Sequence, residues 1–206
     1  MTPAITIPCE IDRRSIGHTA AHYLLEQDRF ATFLTVTEAG CGKNPPTLHA
    51  AFAKTLRKNG FVGTIRRIVL PGIGLSSKNR RLREVLSTLE RPGAVLTQND
   101  RIALEVVAFA LKDGLRVPDE IAVLGIGDNQ TICDGSPVKL TSVKLACERL
   151  GHAMLCRMLD PDNAAVLPGH AVICAPIGVS ERDSVRRIHP RDHYVSAAVS
   201  FIQHGE

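Results

Sequence analysis

Residues 94–127 read AVLTQNDRIALEVVAFALKDGLRVPDEIAVLGIG, and this stretch decides the fold class. It begins with the short apolar strand Ala94–Thr97, after which Asn99 opens an amphipathic helix that closes near Gly114. A second strand, Ile121–Leu124, is apolar at every position. Strands that are apolar on both faces and separated by a helix are typical of a parallel sheet covered by helices. The stretch therefore predicts an α/β fold.

The same alternation of strands and helices extends in both directions from this stretch. Hydrophobic periodicity predicts four further helices, at residues 15–27, 47–59, 77–90 and 144–159, and a last helix that begins near Asp192. It predicts four further strands, at residues 30–36, 65–70, 140–143 and 171–174. We expect Ser15 to cap the first helix and residues 125–139 to form a loop.

Composition restricts the class of protein and its location. With 206 residues, of which 44% are hydrophobic and 22% charged, the chain can bury a sizeable core and is not disordered overall. No apolar run approaches the roughly 20 residues that cross a bilayer, and the N-terminus lacks the pattern of a secretory signal. The six cysteines stand apart without a CxxC pair, which predicts reduced thiols. These features together predict a cytoplasmic protein with no membrane partner.

Positive charge is concentrated in residues 57–91, which hold nine Lys or Arg residues and two Glu, while the whole chain carries a net charge of +4. Such a stretch could contact phosphates. Its basic residues alternate with an ordinary core pattern, however, so we interpret it as a solvated face.

Polar residues follow two of the predicted strands, as Thr97–Asp100 and as Gly127–Gln130. In open parallel sheets, ligands bind beyond the carboxyl ends of the strands. Amide and carboxylate groups suit neutral polyols, because together they donate to and accept from adjacent hydroxyls. The alternative is structural: Asn99 would cap a helix, and Asp128 with Asn129 would form a turn.

Signals for catalysis and for metal binding are weak. His18, His22 and Glu26 share one helix face and could hold a metal, although an exposed face explains the spacing as well. The chain has no GxSxG motif and no Cys/His pair that stands out as a nucleophile with its base. We therefore predict no catalytic residue, no metal site and no cofactor.

The run from Pro92 to Leu159 resembles the lac-repressor/galactose-repressor family of bacterial regulators. The matching text is PGAVLTQNDRIALEVVAFALKDGLRVPDEIAVLGIG, then LTSV at 140–143 and ERLGHAML at 148–155. The tail, PIGVSERDS at 176–184 with AAVSFIQH at 197–204, is similar to bacterial xylose-operon regulators. Those proteins place a sugar-sensing region first and an arabinose-regulator (AraC) type helix-turn-helix region last.

The resemblance implies a type I periplasmic-binding-protein-like fold, with parallel sheet layers in two lobes and the sugar in the cleft between them. It implies one lobe nearly complete and a truncated first lobe. The expected domains are residues 1–29 as a remnant of the N-terminal lobe, 30–143 as the C-terminal lobe, 144–184 as a return segment packing on both lobes, and 185–206 as a linker and the start of a helix leading to an absent DNA-binding domain. We therefore expect the apolar faces of helices 15–27 and 144–159 to lack a partner.

The resemblance also implies a function, the effector-sensing part of a sugar-responsive transcriptional regulator that uses allostery without catalysis. The ligand-binding positions it implies are Asp12, His49, Asn99, Asp100 and Asp128. The implied partners are a sugar, with a pentose favoured, a second copy of the chain in a homodimer, and DNA only through a helix-turn-helix region absent from this chain.

Three alternatives to this function stay open at this stage. The first is a transport-type sugar-binding protein of the same fold. The second is a truncated remnant that binds no ligand, and the third is an enzyme acting on phosphorylated sugars.

Overall fold

A computed structural model of the chain describes residues 8–27, 29–39, 46–71, 75–159 and 171–185. The helices in these ranges are α1 (Arg13–Leu25), α2 (Pro46–Lys58), α3 (Leu75–Ser87), α4 (Asp100–Lys112), α5 (Gln130–Gly135) and α6 (Cys147–Leu159). The strands are β1 (Cys9–Ile11), β2 (Thr32–Glu38), β3 (Thr64–Leu70), β4 (Gly93–Thr97), β5 (Ile121–Gly127), β6 (Thr141–Leu145), β7 (Val172–Cys174) and β8 (Pro176–Ser180).

Six strands form the main sheet, in the order β3-β2-β4-β5-β6-β8. The first five are parallel, and β8 runs antiparallel to β6. A separate two-stranded parallel sheet pairs β1 with β7. The predicted α/β fold with parallel sheet layers is thus confirmed, with one antiparallel strand at the edge.

Each face of the main sheet carries its own hydrophobic core, because successive side chains of a strand point to opposite faces. On one face, Phe33 of β2 and Leu96 of β4 pack with Phe52 of α2. On the other face, Leu34 of β2 packs with Ile102 of α4. All five side chains are at most 1% exposed. Burying a side chain of this size contributes about 1.5–3 kcal/mol to folding.

Helix α1 is covered, so the expectation that its apolar face lacks a partner is wrong. Ile16, Ala20 and Leu24 are at most 1% exposed and belong to the core on the α2 face of the main sheet. Gly17 allows the close approach of the two helices, because a Cβ there would lie 2.7 Å from the carbonyl oxygen of Leu48. Periodicity identified the apolar face but gave no information on which sheet covers it.

Helix α6 differs from α1 in that its apolar side chains remain exposed. Leu155, Met158 and Leu159 are 54%, 61% and 77% exposed. The helix contacts β7, whose Ile173 is itself 62% exposed. In the part of the chain that the structure describes, no helix is both long and apolar enough to span a membrane.

Local details differ from the sequence-based expectations at several places. Helix α1 begins two residues before Ser15, and its cap is Asp12, whose carboxylate accepts from the Ser15 backbone N–H at 2.9 Å and from its hydroxyl at 2.6 Å. The loop expected over residues 125–139 contains the end of β5 and the short helix α5. Strands β1 and β8 were not expected. The helix predicted near Asp192 lies outside the described residues.

The chain passes between the two sheets at three crossings, which are held together by backbone hydrogen bonds. Asp12 joins β1 to α1, Ala146 joins β6 to α6, and Ala175 joins β7 to β8. The Asp12 N–H donates to the Cys174 carbonyl, and the Ala146 N–H donates to the Ala175 carbonyl, each at 3.0 Å. The three crossings therefore lie side by side.

Candidate functional site at the carboxyl edge of the main sheet

The topology brings the five predicted site residues to one edge of the main sheet. Asn99 follows β4 and Asp128 follows β5, and the two strands are parallel neighbours. His49 lies in the first turn of α2, the helix that follows β2. A helix that connects parallel strands runs back along the sheet, so its first turn lies at the carboxyl edge. Asp12, at the start of α1, packs beside that turn.

Asp100 is the first residue of α4 and is buried beneath the edge, with 3% of its surface exposed. One carboxylate oxygen accepts from the Ser142 hydroxyl at 2.5 Å, and the other accepts from the Asn129 backbone N–H at 2.8 Å. Asp100 therefore ties α4 to β6 and to the loop after β5. Only a glycine fits beside it at position 125, since a Cβ there would lie 2.3 Å from the Asp100 carboxylate.

The thiol of Cys133 in α5 also lies against this carboxylate. Burial raises the pKa of Cys133 to about 12, and the negative charge of Asp100 adds to the effect. Cys133 is therefore a protonated, buried neighbour of Asp100 that donates rather than reacts.

Both carboxylate oxygens of Asp128 contact side chains of β8 and of the residues just after it. Arg182 pairs with one oxygen at 2.9 Å, and the Ser180 hydroxyl donates to the other at 2.6 Å. The Asp128 backbone, at a φ of 57°, donates to the Ser142 hydroxyl at 3.1 Å. Arg182 also pairs with Asp134 at 3.0 Å. The loop after β5 is therefore held from two sides.

Asn99 caps α4, as the structural alternative predicted. Its side-chain oxygen accepts from the Ile102 backbone N–H at 2.9 Å. The cap uses the carbonyl oxygen of the amide, and the NH₂ group is a separate donor. A structural role for Asn99 therefore leaves it a donor suited to a ligand hydroxyl.

His49 lies between α2 and the sheet, with its Nδ1 3.1 Å from the Thr35 hydroxyl. Burial lowers the pKa of His49, and the positive charge of Arg67 lowers it further. The imidazole is therefore neutral at pH 7 and can both donate and accept.

Asp12 stays ionised because the Ser15 hydroxyl and the Ser15 backbone N–H hold the pKa of its carboxyl below the usual range. It faces an open depression of about 610 Å³. The depression is lined by Cys9, Glu10, Ile11, Asp12, Arg13, Arg14, Thr47 and Ile173. Charged groups of both signs and a hydroxyl therefore surround a space beside the three crossings.

A closed ring of ion pairs supports the rim of the edge. Lys78 bridges Glu38 at 3.0 Å and Glu105 at 2.6 Å, and Arg101 pairs with the same two carboxylates at 2.5 and 2.7 Å. Lys78 is only 5% exposed, so the interpretation of residues 57–91 as a solvated face is wrong at this position. Burial alone would raise the pKa of Glu38, but the two cations together lower it.

Three residues that hold the site from below were not predicted as part of it: Ser142, Ser180 and Arg182. Arg182 lies in the tail PIGVSERDS, but the sequence does not show that its partner is Asp128. The partner of an ion pair between positions 128 and 182 is visible only once the fold is known.

The metal alternative finds no support in the described ranges. His18 hydrogen-bonds to the Thr55 hydroxyl through Nδ1 at 2.5 Å, and His22 is exposed. Within residues 8–27, 29–39, 46–71, 75–159 and 171–185, no three His, Cys, Asp or Glu side chains are placed to hold a metal ion.

Comparison with known proteins places this architecture in a family. Residues 17–185 match the periplasmic binding protein-like domain. The chain belongs to this family. Its resemblance to the lac-repressor/galactose-repressor type is confirmed by a similar regulator.

Among similar proteins is the HTH-type transcriptional repressor PurR of Erwinia tasmaniensis, 30% identical over 146 residues, which are 70% of this chain and 42% of that protein. A dimeric Lac repressor structure superposes with a TM-score of 0.69 at 18% identity, covering 86% of this chain and 64% of that one. The structure of the xylose-binding transcription activator xylR superposes with a TM-score of 0.69 at 20% identity, covering 89% of this chain and 50% of that one. The chain spans less than half the length of the curated relatives it matches. At these identities, the two structures establish the fold alone.

Proposed function

We propose that this chain is the effector-sensing part of a bacterial transcriptional regulator and that its effector is a sugar, with a pentose such as D-xylose favoured. The observation that carries the proposal is the collection of neutral and charged polar groups of Asp12, His49 and Asn99 at the carboxyl edge of the main sheet, beside the three crossings. This is the position where parallel α/β sheets bind ligands. The membership of residues 17–185 in the periplasmic binding protein-like family supports it.

The five predicted site residues would act in two ways. Asn99 would donate its NH₂ group, the neutral His49 would donate or accept, and Asp12 would accept from sugar hydroxyls. Asp100 and Asp128 have their carboxylate oxygens engaged within the protein, so they would keep the Asn129 loop in place beneath the sugar. A site of matched donors and acceptors discriminates strongly against analogues that lack one hydroxyl.

The ligand would act by changing how the two sheets are oriented relative to each other. It would lie on the main sheet while touching Asp12 at a crossing, and a ligand shifts a conformational equilibrium by its difference in affinity for the two states. In the whole regulator, which we propose works in the cytoplasm as a homodimer, DNA would be bound by a helix-turn-helix region outside these 206 residues. PurR is named as a repressor of this HTH type. The mechanism needs no catalytic group.

Thermal unfolding of the purified chain with a panel of pentoses and hexoses tests the proposal. A sugar that binds the native state at 100 times its Kd stabilises it by about 2.7 kcal/mol. We expect a saturable rise in the midpoint for one sugar, with pentoses ahead of hexoses. A cooperative transition that no sugar moves would contradict the proposal and would favour a remnant that binds no effector.

A matched pair of variants locates the binding. Asn99→Asp keeps a capping oxygen but replaces the NH₂ donor. The fold should therefore persist, while the apparent affinity for the sugar, taken from the shift in the unfolding midpoint, should fall at least tenfold. Asn59→Asp makes the same change at the far end of α2, where the amide donates to the Thr55 carbonyl at 2.8 Å. That control should keep the wild-type response. Equal responses of the two variants would remove Asn99 from the site.

A transport-type sugar-binding protein would respond in the same way in this assay. The two functions separate when the whole gene product is studied, because only a regulator releases or gains operator DNA on addition of the sugar. An enzyme would consume the sugar, which chromatography of the incubated mixture detects.

A further inference from the structure

Three cysteines lie near the three crossings between the sheets, and two of them adjoin a crossing residue. Cys9 is the first residue of β1, Cys147 is the first residue of α6, and Cys174 is the last residue of β7. In the β1–β7 ladder, Cys174 is opposite Ile11, so Cys9 lies two residues along the same face. The backbone bond from Ala146 to Ala175 places the start of α6 beside the end of β7. The fold therefore brings Cys147 close to Cys174, although 26 residues separate them in the sequence.

The three thiols differ in access to solvent. Cys9 and Cys147 are exposed, whereas Cys174 is buried, with 1% of its surface exposed. Of the two exposed thiols, Cys147 raises the pKa of Cys174 more strongly than Cys9 does. Cys147 is therefore the direct partner of the buried thiol.

Burial, reinforced by the neighbouring Cys147, raises the pKa of Cys174 to about 11. The thiolate is the reactive form of cysteine, so Cys174 is inert as a first nucleophile at neutral pH. An oxidant from solvent reaches Cys147 first because only that thiol of the pair is exposed.

We propose that Cys147 and Cys174 form a dithiol that hydroperoxides oxidise to a disulfide, locking two of the three crossings together. The inference stands independently of the proposed sugar binding. The disulfide would join the first residue of α6 to the last residue of β7, directly across the Ala146–Ala175 hydrogen bond.

The reaction has two balanced steps. The Cys147 sulfur attacks the hydroperoxide, its O–O bond breaks, and the products are Cys147 sulfenic acid and an alcohol, or water when the oxidant is hydrogen peroxide. The Cys174 sulfur then attacks the sulfenic sulfur, the S–O bond breaks, and the Cys174 proton leaves with the oxygen as water. The two thiols lose two electrons in total, and the hydroperoxide gains them.

Mass spectrometry of the oxidised 206-residue chain tests the proposal. The reduced protein is treated with one equivalent of hydrogen peroxide, alkylated, and digested without reduction. We expect one linked peptide pair that contains Cys147 and Cys174, lighter by two hydrogen atoms than the sum of the free peptides, and reversal by dithiothreitol. A link between Cys9 and Cys174, or Cys147 carrying two added oxygens while Cys174 stays alkylatable, would overturn the assignment.

Two single substitutions make the test specific. Cys147→Ser changes an exposed side chain, so the protein should fold while the linked pair disappears and Cys174 remains a thiol. Cys156→Ser is the matched control on the same helix, where the sulfur lies 3.7 Å from the His152 ring. That control should form the Cys147–Cys174 link at the wild-type rate. Loss of the link in Cys156→Ser, or a link from Cys174 to another cysteine in Cys147→Ser, would refute the proposal.

Discussion

Substitution of Gly125 by alanine should strongly destabilise the protein, because it removes the space that Asp100 occupies. The new Cβ would lie 2.3 Å from an Asp100 carboxylate oxygen and 3.3 Å from the Ser142 hydroxyl, while ordinary contact begins at 3.4 Å. The carboxylate would have to leave its bonds to Ser142 and to the Asn129 N–H. Each hydrogen bond to a charged group contributes about 1.5–3 kcal/mol, so we expect a loss of about 3–6 kcal/mol.

Urea unfolding followed by circular dichroism measures this loss. The control is Gly151→Ala in α6, where, apart from its chain neighbours and the adjacent helix backbone, no atom of the described residues lies within 4 Å of the added Cβ. Replacing a helical glycine by alanine should stabilise that variant by about 1 kcal/mol. A loss below about 1 kcal/mol for Gly125→Ala would refute the clash.

A double-mutant cycle separates the clash from other effects of the alanine. In an Asp100→Ala background the carboxylate is gone, so adding Gly125→Ala should cost much less than in the wild type. If the cost were the same in both backgrounds, Asp100 would not be the group that position 125 accommodates.

Other predictions follow from the charged groups. Arg182→Met should cost about 2–4 kcal/mol in urea unfolding, because Asp128, with 7% of its side chain exposed, loses its cation. Lys78→Met should lower the free energy of unfolding by about 1–3 kcal/mol. It should also shift the acid unfolding of the protein to higher pH. The reason is that Glu38, whose pKa is lowered in the fold, stabilises the protein above pH 4.5 and loses that contribution as the pH falls. His49→Gln should reduce the loss of stability that wild type shows as the pH drops below 6.5, because the lowered pKa makes the unfolded chain take up the proton first.

Exposed or distant side chains supply the controls for these variants. Arg80→Met, at a side chain 78% exposed, should change the stability by less than about 0.5 kcal/mol. His22→Gln, at an exposed histidine, should change the stability at pH 7 by less than about 0.5 kcal/mol. If Arg182→Met or Lys78→Met were no worse than Arg80→Met, their ion pairs would contribute nothing to the folded state.

The parallel strands of the main sheet could be predicted because the sequence marks them. Residues 93–97 and 121–124 are apolar and buried at almost every position, and glycine, proline or a capping side chain marks their ends. Strands β1 and β8 carry no such mark. The three residues of β1 are exposed, and β8 contains Pro176 and Gly178, so only pairing with distant partners makes them strands.

The first residue of a helix and the free groups of the site are equally hard to predict from sequence. Asp12 and Ser15 have equal capping chemistry, and the structure uses the first as cap and the second as its donor. The polar clusters after β4 and β5 were visible as candidates because strand ends follow from the pattern. Which groups remain for a ligand was not visible, because Ser142 and Arg182 engage Asp100 and Asp128 from a different part of the chain.

The most direct test of a sugar site at the carboxyl edge is a titration of the ¹⁵N-labelled chain with D-xylose, followed by amide chemical shifts. We predict saturable shifts confined to residues 12–14, 47–49, 98–100 and 127–130, which all lie at that edge. Residues 60–64, at the opposite edge of the main sheet, should not move. No shift at any sugar concentration, or shifts centred on residues 60–64, would contradict the proposed site.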